Sequence, residues 1–234
     1  MCSNRLKKGC SWNEELSKIG LTLEEARSLQ KKLALQVIED DQFEKIENIC
    51  GLDVSYYKDT AIACGVVLNR EDMQVLEERT VYTEIDFPYI PTLLSFRETP
   101  PILRVARSLK SNVDLFMVDS NGRLHPFLLG AASHFGILID KPTIGVAKTL
   151  LCGEVLPKKE EDKYSLIMLN GKVVGAAVTT RIGVKPVFVS VGHKVSLDTA
   201  IGIVLESSKL RIPEPIRLAD RLSKLSKKEL KNKL

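Results

Sequence analysis

The 234-residue chain has no apolar run approaching the roughly 20 residues that a membrane-spanning helix needs. It has no paired cysteines either. Cys2, Cys10, Cys50, Cys64 and Cys152 are odd in number and scattered, with no C-x-x-C. That spacing argues against a structural zinc site or a disulfide framework and fits a reducing compartment. They read as ordinary buried or terminal thiols. The opening MCSNRLKKGCSWNEELSKIG carries Lys and Arg but lacks the apolar core of a secretory signal, so a cytoplasmic protein is expected. Neither charge sign dominates: 34 Lys and Arg stand against 30 Asp and Glu, a net +4. This balance permits a polyanionic partner without requiring one. Repeats, linkers and low-complexity stretches are missing, and hydrophobic residues make up 44%. One folded unit with a sizeable core is the expectation.

What is present alternates between two periods. Thr22-x-x-Glu25 is a capping box, followed at helical spacing by Ala26, Leu29, Leu33 and Val37. Two β-rich runs follow in residues 46–69, joined around Lys58-Asp59, and a third in 73–85. Beyond Pro100-Pro101 the period turns helical through Ile102, Val105, Ala106 and Leu109, with the prolines expected in the first turn. DLFMVD (114–119) and PTIGVAKTLL (142–151) read as buried strands, separated by a helical LLGAASHFGILI (128–139). Asn170-Gly171 marks a hairpin, VFVSV (187–191) another strand, and helices start at Ser196 and at Pro213-Glu214-Pro215. A meander followed by alternating helix and strand predicts a mixed α/β layered domain. Residues 1–45 read as an N-terminal extension whose amphipathic helix packs on the core, 46–225 as the domain, and 226–234 as a fraying basic tail.

Several polar residues break these patterns. Asp53 interrupts the first strand run, Glu98 ends SFRE ahead of the helix, Asp119 ends a buried strand, and His193 follows VFVSVG. Acids at the carboxyl ends of strands in an open α/β sheet point into its ligand crevice. Three carboxylates there would form a hard oxygen cage suited to Mg²⁺ or Mn²⁺, the ions that assist phosphodiester hydrolysis. Taken singly, each acid reads equally well as a strand-edge, helix-end or turn residue. Lys148 in the apolar GVAKT implies a strand end or a partner anion. Pro88-Tyr89-Ile90-Pro91 is either a rigid surface loop or an apolar wedge for nucleic acid.

Six segments resemble endonuclease V, a family of repair nucleases acting on nucleic acid with deaminated adenine: GLDVSY, FPYIP-x-LLSFRE, VDSNGRLHPFLLGAASHFG, PTIGVAKT, VSVGHKVS and RIPEPIRLAD. The resemblance runs from about Cys50 to about Asp220. It implies an RNase H-like α/β fold, with a central mixed sheet of five or slightly more strands and helices on both faces. It implies Mg²⁺, with Mn²⁺ as a substitute, held by Asp53, Asp119 and Glu98, and a catalytic set completed by Lys148 and His193. Pro88, Tyr89, Ile90 and Pro91 match the wedge, with Thr92, Ser120, Gly122 and His125 near the lesion. His134 is assigned to helix packing.

The implied reaction is hydrolysis of the second phosphodiester bond 3′ to deoxyinosine in DNA, leaving 3′-hydroxyl and 5′-phosphate ends. The implied protein is a monomer with no membrane association. An inosine-specific endoribonuclease acting on RNA and a catalytically silent nucleic-acid-binding protein are the alternatives. Two positions depart from the family pattern: Thr92 and Ser120 stand where glycines are common. The expectation is a narrower base pocket.

Overall fold

The computed structural model describes residues 16–17, 20–157 and 162–233. Cys2 and Cys10 lie outside the described residues. The capping box forms: the Thr22 hydroxyl accepts the Glu25 N–H at 3.1 Å, and the Glu25 carboxylate accepts the Thr22 N–H at 2.8 Å. It opens helix α1 (Leu23–Ala34). Then come β1 (Asn48–Tyr57), β2 (Thr60–Asn69) and β3 (Val75–Glu84), the expected meander. Lys58 at φ 48° turns the first hairpin.

Helix α2 (Leu94–Ser108) starts six residues earlier than the prolines suggested. Pro100 and Pro101 therefore lie in its second turn, where they withhold two backbone donors. Glu98 is a helical residue and not the end of the segment before a helix. Strand β4 (Leu115–Val118), helix α3 (Ala131–Ile139) and strand β5 (Thr143–Ala147) give the parallel crossover. Short β6 (Glu154–Val155), hairpin β7 (Tyr164–Leu169) and β8 (Lys172–Val178), and β9 (Val187–His193) follow. Helices α4 (Leu197–Glu206) and α5 (Glu214–Lys233) close the order. The tail expected to fray continues α5 as helix, and Ser226 is buried there beside Thr80.

Among the described residues nine strands join one sheet, ordered β3-β2-β1-β4-β5-β9-β8-β7-β6. The first five positions are the meander and crossover strands. Four antiparallel strands extend them beyond β5, which is why the sheet exceeds the expected five. Alternation along β4 sends Leu115 and Met117 to one face and Phe116 and Val118 to the other. The first face packs against α4 and the start of α5, the second against α2 and α3. Among the described residues no helix is long and apolar enough to cross a membrane.

One contact fixes α5 against the sheet. A Cβ on Gly51 would sit 2.0 Å from the Pro215 carbonyl oxygen, so only glycine lets β1 and α5 approach this closely. Gly51→Ala is expected to cost about 1–3 kcal/mol as overpacking. Urea unfolding checks this; an unchanged midpoint would contradict the contact.

Candidate active site

Strand parity builds the site. The last register pair between parallel β1 and β4 is Leu52 with Val118, and the Asp119 N–H donates to the Leu52 carbonyl at 2.9 Å. Asp53 and Asp119 are each one residue past that pair. They occupy neighbouring strands about 4.8 Å apart and point to the same face. Helix α5 lies on that face. Asp220 and Ser223, three residues apart on one side of α5, look onto it. The Ser223 hydroxyl donates to Asp53, and the Ser55 hydroxyl donates to the Ser223 carbonyl. One oxygen from each of Asp53, Asp119 and Asp220 lies within 4.8 Å of the others.

Lys148 completes the group. It follows Ile144 and Val146 on the same face of β5 and stands just past the strand end. Its ammonium donates to Asp119 at 2.5 Å and to Asp220 at 2.8 Å. Burial of the ammonium opposes its charge, but the two carboxylates outweigh that and lift its pKa. Glu98 approaches from α2 on the opposite side. Burial, then the Asp53 charge, raises its carboxyl to about 8 despite the Ser120 hydroxyl bond. Asp119 is raised to about 6 by burial and then by Asp53, with Lys148 opposing. Asp53 is raised as well, by burial and by Asp220, against its Ser223 bond. For Asp220 burial acts upward, but Lys148 and Lys224 win and its pKa falls.

These shifts record burial first, with the neighbouring carboxylates adding to it. An all-oxygen donor set of this spacing fits a hard divalent cation such as Mg²⁺ or Mn²⁺. Asp53, Asp119 and Asp220 are the residues that could hold it. Glu98, expected as a ligand, falls outside that triad and faces it through Asp53.

A cleft of about 200 Å³ opens beside the acids, lined by Tyr89, Thr92, Ser95, Ser120, Asn121 and His125 among others. Ser120 follows Asp119, and Ser95 sits one helical turn before Glu98, so cleft and acids are contiguous. Tyr89 is 63% exposed at its rim. His125 is buried, its Nδ1 accepts the Phe127 N–H at 3.2 Å, and burial with Arg27 lowers its pKa to about 4. It is neutral near pH 7.

A family model described as Endonuclease V matches residues 31–221. The chain belongs to the endonuclease V family. A Thermofilum pendens endonuclease V is 47% identical over 201 residues, covering 85% of this chain and 86% of that protein. The solved Streptomyces avermitilis endonuclease V is 39% identical with TM-score 0.84, over 90% of this chain and 95% of that one. A Ciona intestinalis endonuclease V, solved in complex with a 24mer DNA containing an inosine followed by a ribo-adenosine, is 35% identical with TM-score 0.81. It covers 89% of this chain and 98% of that one.

The endonuclease V resemblance also placed residues that the structure keeps away from the acids. His193 pairs with Thr143, the first residue of β5, whereas Lys148 follows the last. Five residues of strand separate the two levels by about 16 Å. Its Nδ1 accepts the Ile38 N–H and its Nε2 lies 3.6 Å from Asp140, so His193 is a buried packing group at the far end of the sheet. Ile90 is fully buried with Phe87, Leu93 and Ala26, which leaves Tyr89 and Pro91 as the wedge's exposed residues. Gly122 does not line the cleft. A Cβ there would lie 2.1 Å from the Val191 carbonyl oxygen, so glycine lets the loop cross β9. Thr92 does line the cleft, at φ 67°. That left-handed backbone costs a branched residue about 1–2 kcal/mol.

The residue sequence reasoning missed is Asp220. Its one signal was its place at the end of the RIPEPIRLAD motif.

Removing one buried acid tests this electrostatic account. A carboxyl raised in the folded state binds protons that the unfolded chain has released, so it costs stability as pH rises from the ordinary carboxylate range through about 8. Glu98→Gln in metal-free protein is therefore expected to raise Tm at pH 9 by at least about 2–4 °C. It should change Tm little at pH 4. Scanning calorimetry at both pH values checks it, and equal effects would contradict the assignment.

Proposed function

We propose that this protein is a divalent-metal-dependent endonuclease that recognises deoxyinosine in DNA. It hydrolyses the second phosphodiester bond 3′ to the lesion and leaves 3′-hydroxyl and 5′-phosphate ends. The observation that carries the proposal is the contiguity of the Asp53, Asp119 and Asp220 triad with a base-sized cleft rimmed by an exposed tyrosine. The inosine-containing DNA in the Ciona relative points to the same ligand.

Tyr89 would stack into the gap left when the lesion leaves the helix. The cleft would hold the extruded hypoxanthine. With Nδ1 of His125 accepting from backbone, its proton resides on Nε2, a neutral donor for a base oxygen. Thr92 and Ser120 narrow the cleft where glycines are common, which favours hypoxanthine over larger or mismatched bases. Asp53, Asp119 and Asp220 would hold the metal, with Mg²⁺ the proposed ion. When bound, the ion supplies acidification of water and charge neutralisation at the phosphate. Lys148 contributes a fixed positive charge to offset charge developing on phosphate oxygens. Glu98, which faces the triad from α2, is the carboxyl placed to take a proton from the attacking water. His193 has no part in this scheme.

The test is nicking of a labelled duplex with one deoxyinosine, in Mg²⁺, beside matched duplexes with uracil, an abasic site or a mismatch and an inosine-containing RNA. One cut, two bonds 3′ to the lesion, is expected, with the other DNA lesions cut more slowly. Asp119→Ala and Asp220→Asn should each lower the rate by at least about 100-fold, the scale of a lost electrostatic group. Undiminished cutting by both variants, or release of the free base, would contradict the proposal. Preferential cutting of the RNA would move the substrate to the ribose series.

A further inference from the structure

The deciding feature lies in α1, which the chemistry above does not use. Two side chains of that helix reach the two loops that form opposite walls of the cleft. The Arg27 guanidinium donates to the Thr92 carbonyl at 3.1 Å, the Thr92 hydroxyl at 2.5 Å and the Pro91 carbonyl at 3.3 Å. Gln30, fully buried, donates to the Thr92 carbonyl at 2.7 Å and to the Leu129 carbonyl at 3.2 Å. Its own oxygen accepts from Arg27 at 2.9 Å, so the pair acts as one unit. Arg27 also lies 4.3 Å over the Phe127 ring, on the second loop. Beneath them Ala26 packs with Ile90 and Leu93.

The geometry points to α1 as a brace: Arg27 and Gln30 are positioning residues that hold the Tyr89 loop at a set distance from the His125 loop. The need for such a brace is local. Thr92 sits in a backbone conformation that its branched side chain disfavours, and the loop would relax without an external hold. Arg27 caps the carbonyls at the strained turn, where a planar fork of donors fits and an ammonium fits less well. A buried glutamine with every polar atom engaged is rigid. The brace adds a positioning device to the proposed inosine site, and its catalytic consequence rests on that proposal.

Two measurements test it, on Arg27→Ala, Arg27→Lys and Arg27→Ala/Thr92→Gly in the full chain. Amide hydrogen exchange in residues 89–93, read without substrate, is expected to quicken at least about tenfold in Arg27→Ala while β1 and β4 stay protected. KM for the deoxyinosine duplex should rise about tenfold with kcat nearly unchanged, the mark of lost positioning in binding. Glycine at position 92 adopts positive φ freely, so both effects of Arg27→Ala should be much smaller when measured against Thr92→Gly than against wild type. Arg27→Lys should fall between wild type and alanine.

Unchanged exchange and KM in Arg27→Ala overturns the brace. So does a fall in kcat with global loss of protection that Thr92→Gly fails to restore, which would make Arg27 merely structural. If wild type does not nick deoxyinosine DNA, the proposed function falls, and the exchange data alone decide the brace.

Discussion

Confinement of several acids in one partly buried corner beside the sheet is the constraint on which the site depends. Asp53, Asp119 and Asp220 bring oxygens within 4.8 Å of one another, and Glu98 is partly buried against them. In a low-dielectric setting such a group is costly unless paired. Lys148 pairs with two of the acids, and Lys224 adds a second ammonium to Asp220. Burial, and after it the neighbouring carboxylates, push the pKa values of Asp53, Asp119 and Glu98 up. Stability given up in this way is characteristic of a site kept for chemistry.

The fold supplies the rigidity that such crowding demands. Two acids sit on adjacent parallel strands in a fixed register. The third arrives on a helix seated against Gly51, and the lysine comes from the next strand over. Asp119 and Lys148 each stand one residue past their strand's end, where the strand still fixes them. The recognition elements differ. Tyr89 and His125 are on loops, whose spacing depends on what packs behind them. Buried Ile90 anchors one loop, and the backbone crossing at Gly122 anchors the other. In the proposed scheme, a reaction centre fixed by strands and a helix beside a braced cleft separates bond cleavage from lesion choice.

Much of this was legible because it is local. The capping box at Thr22, the turns at Lys58 and Asn170-Gly171, and the apolar runs of β4 and β5 are written in a few residues each. Asp53, Asp119 and Lys148 broke strand patterns and could be seen. The misses are non-local. Whether β6 to β9 joined the main sheet depended on pairing that no single segment encodes. His193 stood at the carboxyl end of a strand, but β9 runs antiparallel to β5, so that end is on the wrong side of the sheet. Asp220 was one acid on a highly charged helix, and its role appears only when α5 docks. Pro100 and Pro101 suggested a helix start because interior prolines are disfavoured, yet packing of Ile102 and Val105 on the sheet carried the helix back through Glu98.

The central claim is that Asp53, Asp119 and Asp220 share one ion. Anomalous diffraction from Mn²⁺-soaked crystals tests it most directly. The account predicts a manganese peak within coordination distance of one oxygen from each of these aspartates. A peak coordinated by Glu98 without Asp220, or none at the carboxyl ends of β1 and β4, would contradict it.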